Sequence, residues 1–97
     1  MKTKKKILVI IPVLNEKKNI FPIVSRIFKV LKKNLNILFV DDNSTDNTRK
    51  AIYDVKKKYK NIYLIKRNSK LGIGSAHKDG LKWGYKKKIP NYNYYGL

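Results

Sequence analysis

Three short apolar runs constrain this chain most: ILVII at residues 7–11, NILFV at 36–40 and NIYLI at 61–65. Each is rich in β-branched residues and continuous rather than alternating. That pattern belongs to strands covered on both faces, as in a parallel sheet. The segments between them carry helical spacing. From Asn19 onward, Ile20, Ile23, Val24, Ile27, Phe28 and Leu31 form one apolar stripe, with Arg26, Lys29, Lys32 and Lys33 largely away from it. Asn19 is placed to cap this helix, which puts Pro22 in the first turn, where a missing N–H costs little. A second helix is predicted over about residues 48–59, with Ala51, Ile52, Val55 and Tyr59 facing inward. A third runs from near Gly74 to about Lys86, with an inner stripe of Ile73, Ala76, Gly80, Leu81 and Gly84, whose small residues allow close helix–sheet approach. The order β-α-β-α-β-α predicts a three-layer α/β/α unit around a parallel sheet, with right-handed crossovers.

At 97 residues the chain suffices for one small domain. It contains no cysteine, which excludes a disulfide framework and a thiolate zinc site and fits a reducing cytoplasm. The basic and then apolar start, MKTKKKILVIIPVLNEKK, is too short in its apolar part for a secretory signal, contains Pro12 and lacks a small-residue cleavage site. No segment approaches the ~20 apolar residues of a membrane helix. The formal charge of +18 has two candidate origins. One is a polyanionic partner, nucleic acid or an anionic membrane surface. The other is compositional drift in a Lys-, Ile-, Asn- and Tyr-rich sequence. Arginine, the residue best matched to phosphate and guanine, occurs only as Arg26, Arg49 and Arg67, which favours drift.

Against that background the acidic residues stand out. Only six are present, and Asp41, Asp42 and Asp46 fall within ILFVDDNSTDNT. In an open parallel sheet, ligands bind outside the carboxyl ends of the strands. The turns PVLNE, VDDNSTDNT and RNSKLGIGSA all follow strands at that end and are expected to converge on one crevice. Asp46, Asn47 and Thr48 have the chemistry of a helix cap. Asp41 and Asp42 exceed what capping requires. Because side chains alternate along a strand, one is expected to face the crevice and the other to brace the turn.

VIIPVLNEKKNI, ILFVDDNSTDNT and KLGIGSAHKDGLKWG, in this order over about residues 6–86, resemble the N-terminal half of a family 2 glycosyltransferase, of the dolichol-phosphate (polyprenyl-phosphate) mannose synthase type. The resemblance implies the incomplete, Rossmann-like front half of a GT-A domain. It also implies a nucleotide-sugar ligand of the GDP-mannose or UDP-glucose type. By motif, Pro12, Leu14 and Glu16 would line the nucleoside pocket, and Val40 and Asp42 would hold base and ribose. Asn15 and Asp41 would act as supports. Gly72 and Gly74 would let the loop pass close to the sugar diphosphate. At Leu14 the family usually carries an aromatic residue.

The resemblance further implies hexose transfer to a polyprenyl or dolichyl phosphate at the cytoplasmic face of a membrane, assisted by Mg2+ or Mn2+ held by an Asp-x-Asp motif. No such motif occurs in the sequence, so no metal ligand is assignable and the isolated chain is expected to be inert. A completing chain or self-association is an expected partner. Residues 1–5 read as a basic tail, and 87–97 as a divergent tail, either frayed or an incipient fourth strand. The competing expectation is a small basic module binding nucleic acid or anionic lipid, which leaves the acidic turn without a purpose.

Overall fold

A computed structural model describes residues 6–31, 34–87 and 92–96; expectations for the basic tail and for Lys32 and Lys33 fall outside them. Strands β1 (Lys6–Val13), β2 (Leu35–Asp41) and β3 (Ile62–Lys66) alternate with helices α1 (Ile20–Val30), α2 (Thr48–Lys58) and α3 (Ile73–Lys86). A 3-10 turn, Lys17–Asn19, leads into α1. A fourth strand, β4 (Tyr92–Gly96), follows α3 and pairs in parallel with β1. Residues 92–96 of the divergent tail therefore join the sheet, and the strand order is β3-β2-β1-β4, parallel throughout. The chain steps outward from β1 to β3 and then returns to the other side of β1. That reversal opens a crevice at the strand carboxyl ends.

The period-two alternation of the strands sorts the core into two layers. Val9, Ile11, Val13, Leu35, Ile37, Phe39 and Ile62 pack with Ile20 and Val24 of α1 and Ile52 and Val55 of α2. Leu8, Ile10, Leu38 and Val40 point to the other face, where Ala76, Tyr63, Ile65 and Trp83 meet them. Every residue of β2 is buried, as a continuous apolar run predicts for a central strand.

Two details depart from the sequence reading. The inward face of α3 consists of Ala76, Gly80 and Gly84, whereas Ile73 is 69% and Leu81 38% exposed. Close approach leaves room only for small residues. A Cβ built on Gly80 would lie 2.6 Å from Ile10 Cγ2, so larger residues are displaced to the flanks. Asn19 does occupy the N-cap of α1 but makes no capping hydrogen bond; its Nδ2 donates instead to Glu16 Oε2 at 2.5 Å. The asparagines have a further use. Asn15, Asn34, Asn43 and Asn61, with φ of 53°, 58°, 67° and 62°, sit in the left-handed region at the ends of β1, β2 and β3. Asparagine tolerates that region better than other non-glycine residues.

Gly80→Ala is expected to destabilise the protein. Overpacking costs ~1–3 kcal/mol, only partly offset by a gain of up to about 1 kcal/mol in helix propensity. The melting temperature, followed by circular dichroism, should fall by several degrees. Gly74→Ala, with nothing within 4 Å of its added Cβ, should leave it unchanged or slightly raised.

Candidate functional site: a pocket at the carboxyl ends of the strands

The last residue of β2 and the one after it divide the site between them. Asp41 continues the alternation of Leu35, Ile37 and Phe39 and turns toward α2. Asp42 turns toward α3. Asp41 is fully buried and accepts hydrogen bonds from Ser44 N (3.0 Å), the Ser44 hydroxyl and Arg49 Nε (2.6 Å). Arg49 also donates to the Arg67 carbonyl at 2.9 Å, so this carboxylate braces the β2–α2 turn and the end of β3 together. Asp42 accepts from Leu71 N at 2.9 Å and Gly72 N at 3.0 Å and lies 3.3 Å from Arg67 Nε. It anchors the β3–α3 loop across the strand ends. The expected division into a bracing and a crevice-facing carboxylate is the one observed.

The β1–α1 loop is clamped to the β2–α2 loop by polar side chains. Asn15 Oδ1 accepts from Thr45 N (2.8 Å) and Asp46 N (3.2 Å), and Asn15 N donates to Ser44 Oγ at 2.9 Å. Glu16 N donates to Thr48 Oγ1 at 3.0 Å, and Lys17 N to Asp46 Oδ2 at 3.2 Å. Asp46 Oδ1 accepts from Thr48 N at 2.8 Å, and from its hydroxyl, at the start of α2. The capping role read for Asp46 is thus present; Thr48 supplies the capped amide rather than a cap, and Asn47 makes no side-chain cap bond.

A pocket of about 310 Å3 opens between these loops. Pro12, Val13, Leu14 and Glu16 form one wall, and Asp42, Lys70, Gly72 and Ile73 the other. Gly72, at φ 93°, is the one glycine here in the left-handed region, and it carries the amide that reaches Asp42. Of the residues singled out in sequence, Pro12, Leu14, Glu16, Asp42 and Gly72 meet in the pocket, with Asn15 and Asp41 behind them as supports. Val40 is fully buried against the α3 layer and does not line the pocket, and Gly74 is exposed in the first turn of α3, beyond the lining. Three participants escaped the sequence reading: Lys70, Ile73 and the buried Arg67. Lys70 and Ile73 flank Gly72, so the glycine marked the segment but not its neighbours. Arg67 was legible only as the second residue past an apolar run, after Lys66.

Burial pushes the Asp42 carboxyl up. The Leu71 and Gly72 amides, then the Arg67 and Lys70 charges, outweigh that and hold it below its ordinary value. For Asp46, hydrogen bonding to the Thr48 side chain is the leading cause of a lowered value. Among the described residues no group of three or more His, Cys, Asp or Glu side chains lies together. Asp42 spends its oxygens on amides and faces a guanidinium. These side chains do not fit a divalent cation, and none is assigned a ligand role.

A parallel sheet with helices on both faces, reversed strand order and a pocket at its carboxyl edge defines an open, doubly wound α/β domain. The chain belongs to glycosyl transferase family 2, which it matches over residues 8–87. It is 35% identical over 85 residues to a polyprenol monophosphomannose synthase of Mycolicibacterium smegmatis, covering 82% of this chain and 30% of that one. It is 37% identical over 78 residues to a dolichol-phosphate mannosyltransferase of Pyrococcus furiosus, covering 79% and 22%. The fold matches that of the mannosyltransferase PcManGT from Pyrobaculum calidifontis, solved in complex with GDP-Man and Mn2+, with a TM-score of 0.74, 22% identity, and coverage of 84% of this chain and 25% of that one. The architecture is therefore a partial GT-A-like fold. The chain spans less than a third of the length of these relatives. The family match lends no support to a basic nucleic-acid or lipid module.

The lowered Asp42 value sets a pH dependence. Its stabilisation is complete above the unfolded carboxylate value of about 3.9 and is lost as pH falls through the lower folded value. In urea titrations, the stability difference between wild type and Asp42→Asn should be constant above about pH 5 and shrink toward pH 3.

Proposed function

We propose that this chain is the nucleotide-sugar-binding part of a glycosyltransferase that moves a hexose from a GDP-mannose- or UDP-glucose-type donor to a polyprenyl or dolichyl phosphate. The observation that carries the reading is the meeting of three strand-end turns in one pocket, with Asp42 as the carboxylate in its wall. Support comes from the relatives, which are a polyprenol monophosphomannose synthase and a dolichol-phosphate mannosyltransferase, and from the GDP-Man complex of the structural neighbour.

Each Asp42 oxygen accepts one loop amide, and a carboxylate has further lone pairs. Those remaining lone pairs accept a base N–H or a ribose hydroxyl. Pro12 and Leu14 give the base an apolar wall, and Leu14 offers packing rather than aromatic stacking. Glu16 supplies a second acceptor for a sugar hydroxyl. Lys70, at the rim, is the cation available to a diphosphate, and the side-chain-free Gly72 lets the ligand approach the backbone. Val40 supports the site from beneath Asp42, and Gly74 leaves open space where the loop enters α3.

An ionised acceptor phosphate is already a nucleophile, so the catalytic burden lies in stabilising the departing nucleotide. The residues present bind and orient; they do not carry that step. A divalent cation belongs to the activity of the whole enzyme, and this sequence has no Asp-x-Asp motif to hold one. The site then works at the cytoplasmic face of a membrane, where a polyprenyl phosphate presents its head group. Among the described residues no helix is long and apolar enough to cross a membrane.

Isothermal titration of GDP, UDP and their sugars should give selective binding, weakened about tenfold or more by Asp42→Ala. That corresponds to the loss of one charge-assisted hydrogen bond of ~1.5–3 kcal/mol. Salt-steep RNA binding without nucleotide selectivity would reverse the proposal. Transfer from GDP-mannose to a polyprenyl phosphate should be absent with the chain alone.

A further inference from the structure

Arg67 does not line the pocket, yet its surroundings are the least ordinary among the described residues. Its side chain is 4% exposed, with Nε 3.3 Å from Asp42 Oδ1 and a terminal nitrogen 3.5 Å from Asp79 Oδ2. None of its three side-chain nitrogens makes a well-directed hydrogen bond among the described residues. A guanidinium has five N–H donors and stays charged at any ordinary pH. Burying it on two long ion pairs is costly. It stays because the backbone fixes it there: Arg67 N donates to the Asp41 carbonyl at 2.9 Å, and its own carbonyl receives Arg49 at 2.9 Å. The end of β3 thus delivers one cation between a carboxylate on β2 and another on α3.

We infer that Arg67 is a positioning residue: a buried cation shared between Asp42 and Asp79 that anchors the Asp42 carboxylate in the pocket wall and ties its setting to α3. Its consequence for ligand binding rests on the nucleotide-sugar reading above; its hold on Asp42 does not. The charged groups around Asp42 are few. Glu16 faces it across the pocket from the β1–α1 loop. Lys70 and the Leu71 and Gly72 amides face it from the β3–α3 loop. Asp41 precedes it and is matched by Arg49. Asp79 reaches it from α3 through Arg67. Removing Arg67 leaves a buried carboxylate with Lys70 as its remaining named cation. Removing the charge of Asp79 ends the sharing and leaves Arg67 wholly to Asp42. The two changes therefore push Asp42 in opposite directions, and the effect of Asp79→Asn should largely vanish in an Arg67→Met background, which separates sharing through the arginine from a bare charge effect.

The test is a carboxyl 13C NMR titration of Asp42 in the ligand-free chain. Arg67→Met should raise its midpoint by about one unit or more. Asp79→Asn should lower it, and Asp54→Asn, which breaks the surface pair with Lys50, should leave it in place. If Arg67→Met does not fold, the direction in Asp79→Asn decides. An unmoved midpoint in Asp79→Asn, or a shift of the same sign in both variants, overturns the inference. GDP affinity measured across the same pH range should weaken at a higher pH in Arg67→Met than in wild type. Midpoints that move as stated in a chain that binds no nucleotide would leave the charge sharing intact and sink the proposed function instead.

Discussion

Two adjacent carboxylates at the end of a buried strand organise this molecule. Strand geometry sends neighbouring side chains to opposite faces, so Asp41 and Asp42 cannot serve the same layer. Asp41 holds the turn into α2 and, through Arg49, the end of β3. Asp42 holds the loop into α3. Loops on both faces of the sheet are thereby tied to one point. The repulsion between the two charges is met by a separate arginine for each, Arg49 on one side and Arg67 on the other.

The first strand contributes differently. Asn15 enters the left-handed region and uses its side-chain oxygen to receive two amides of the neighbouring loop. Glu16 and Lys17 add backbone donors to Thr48 and Asp46. The wall made by Pro12, Leu14 and Glu16 is therefore fixed relative to Asp42 by polar contacts rather than by apolar packing. Pre-organised polar loops on an apolar parallel sheet suit a pocket that must accept hydrogen-bonding ligands without rearranging its scaffold. The surplus of lysine lies elsewhere, much of it on the outer faces of the helices. It needs no role in the pocket beyond Lys70.

Much of this was readable in advance, and the residues show why. The three apolar runs gave the strands, because burial on both faces forces continuous hydrophobicity. Asp41 and Asp42 marked the edge at which the pocket opens, because charge at the end of a buried strand is too costly to be incidental. Gly80 and Gly84 gave the close packing of α3. The misreadings have physical causes. Ile73 and Leu81 matched the helical period but were displaced by the tight contact of Gly80 with Ile10. Val40 carried a motif resemblance, yet its position on the strand sends it into the core. For the terminal segment a frayed tail and a fourth strand were both left open; the strand is present, and its pairing with β1 is a long-range event that local pattern does not encode.

The amino-acid sequence by itself determined the alternation of strands and helices, the two-sided burial of the sheet and the edge at which the site lies. Those follow from local periodicity and from the cost of burying charge. Tertiary structure alone decided which pocket residues meet and that β4 closes beside β1. It also decided that Arg67 sits between Asp42 and Asp79. Each of these brings together groups far apart in the chain, and their energy exists only once the layers have packed and excluded water.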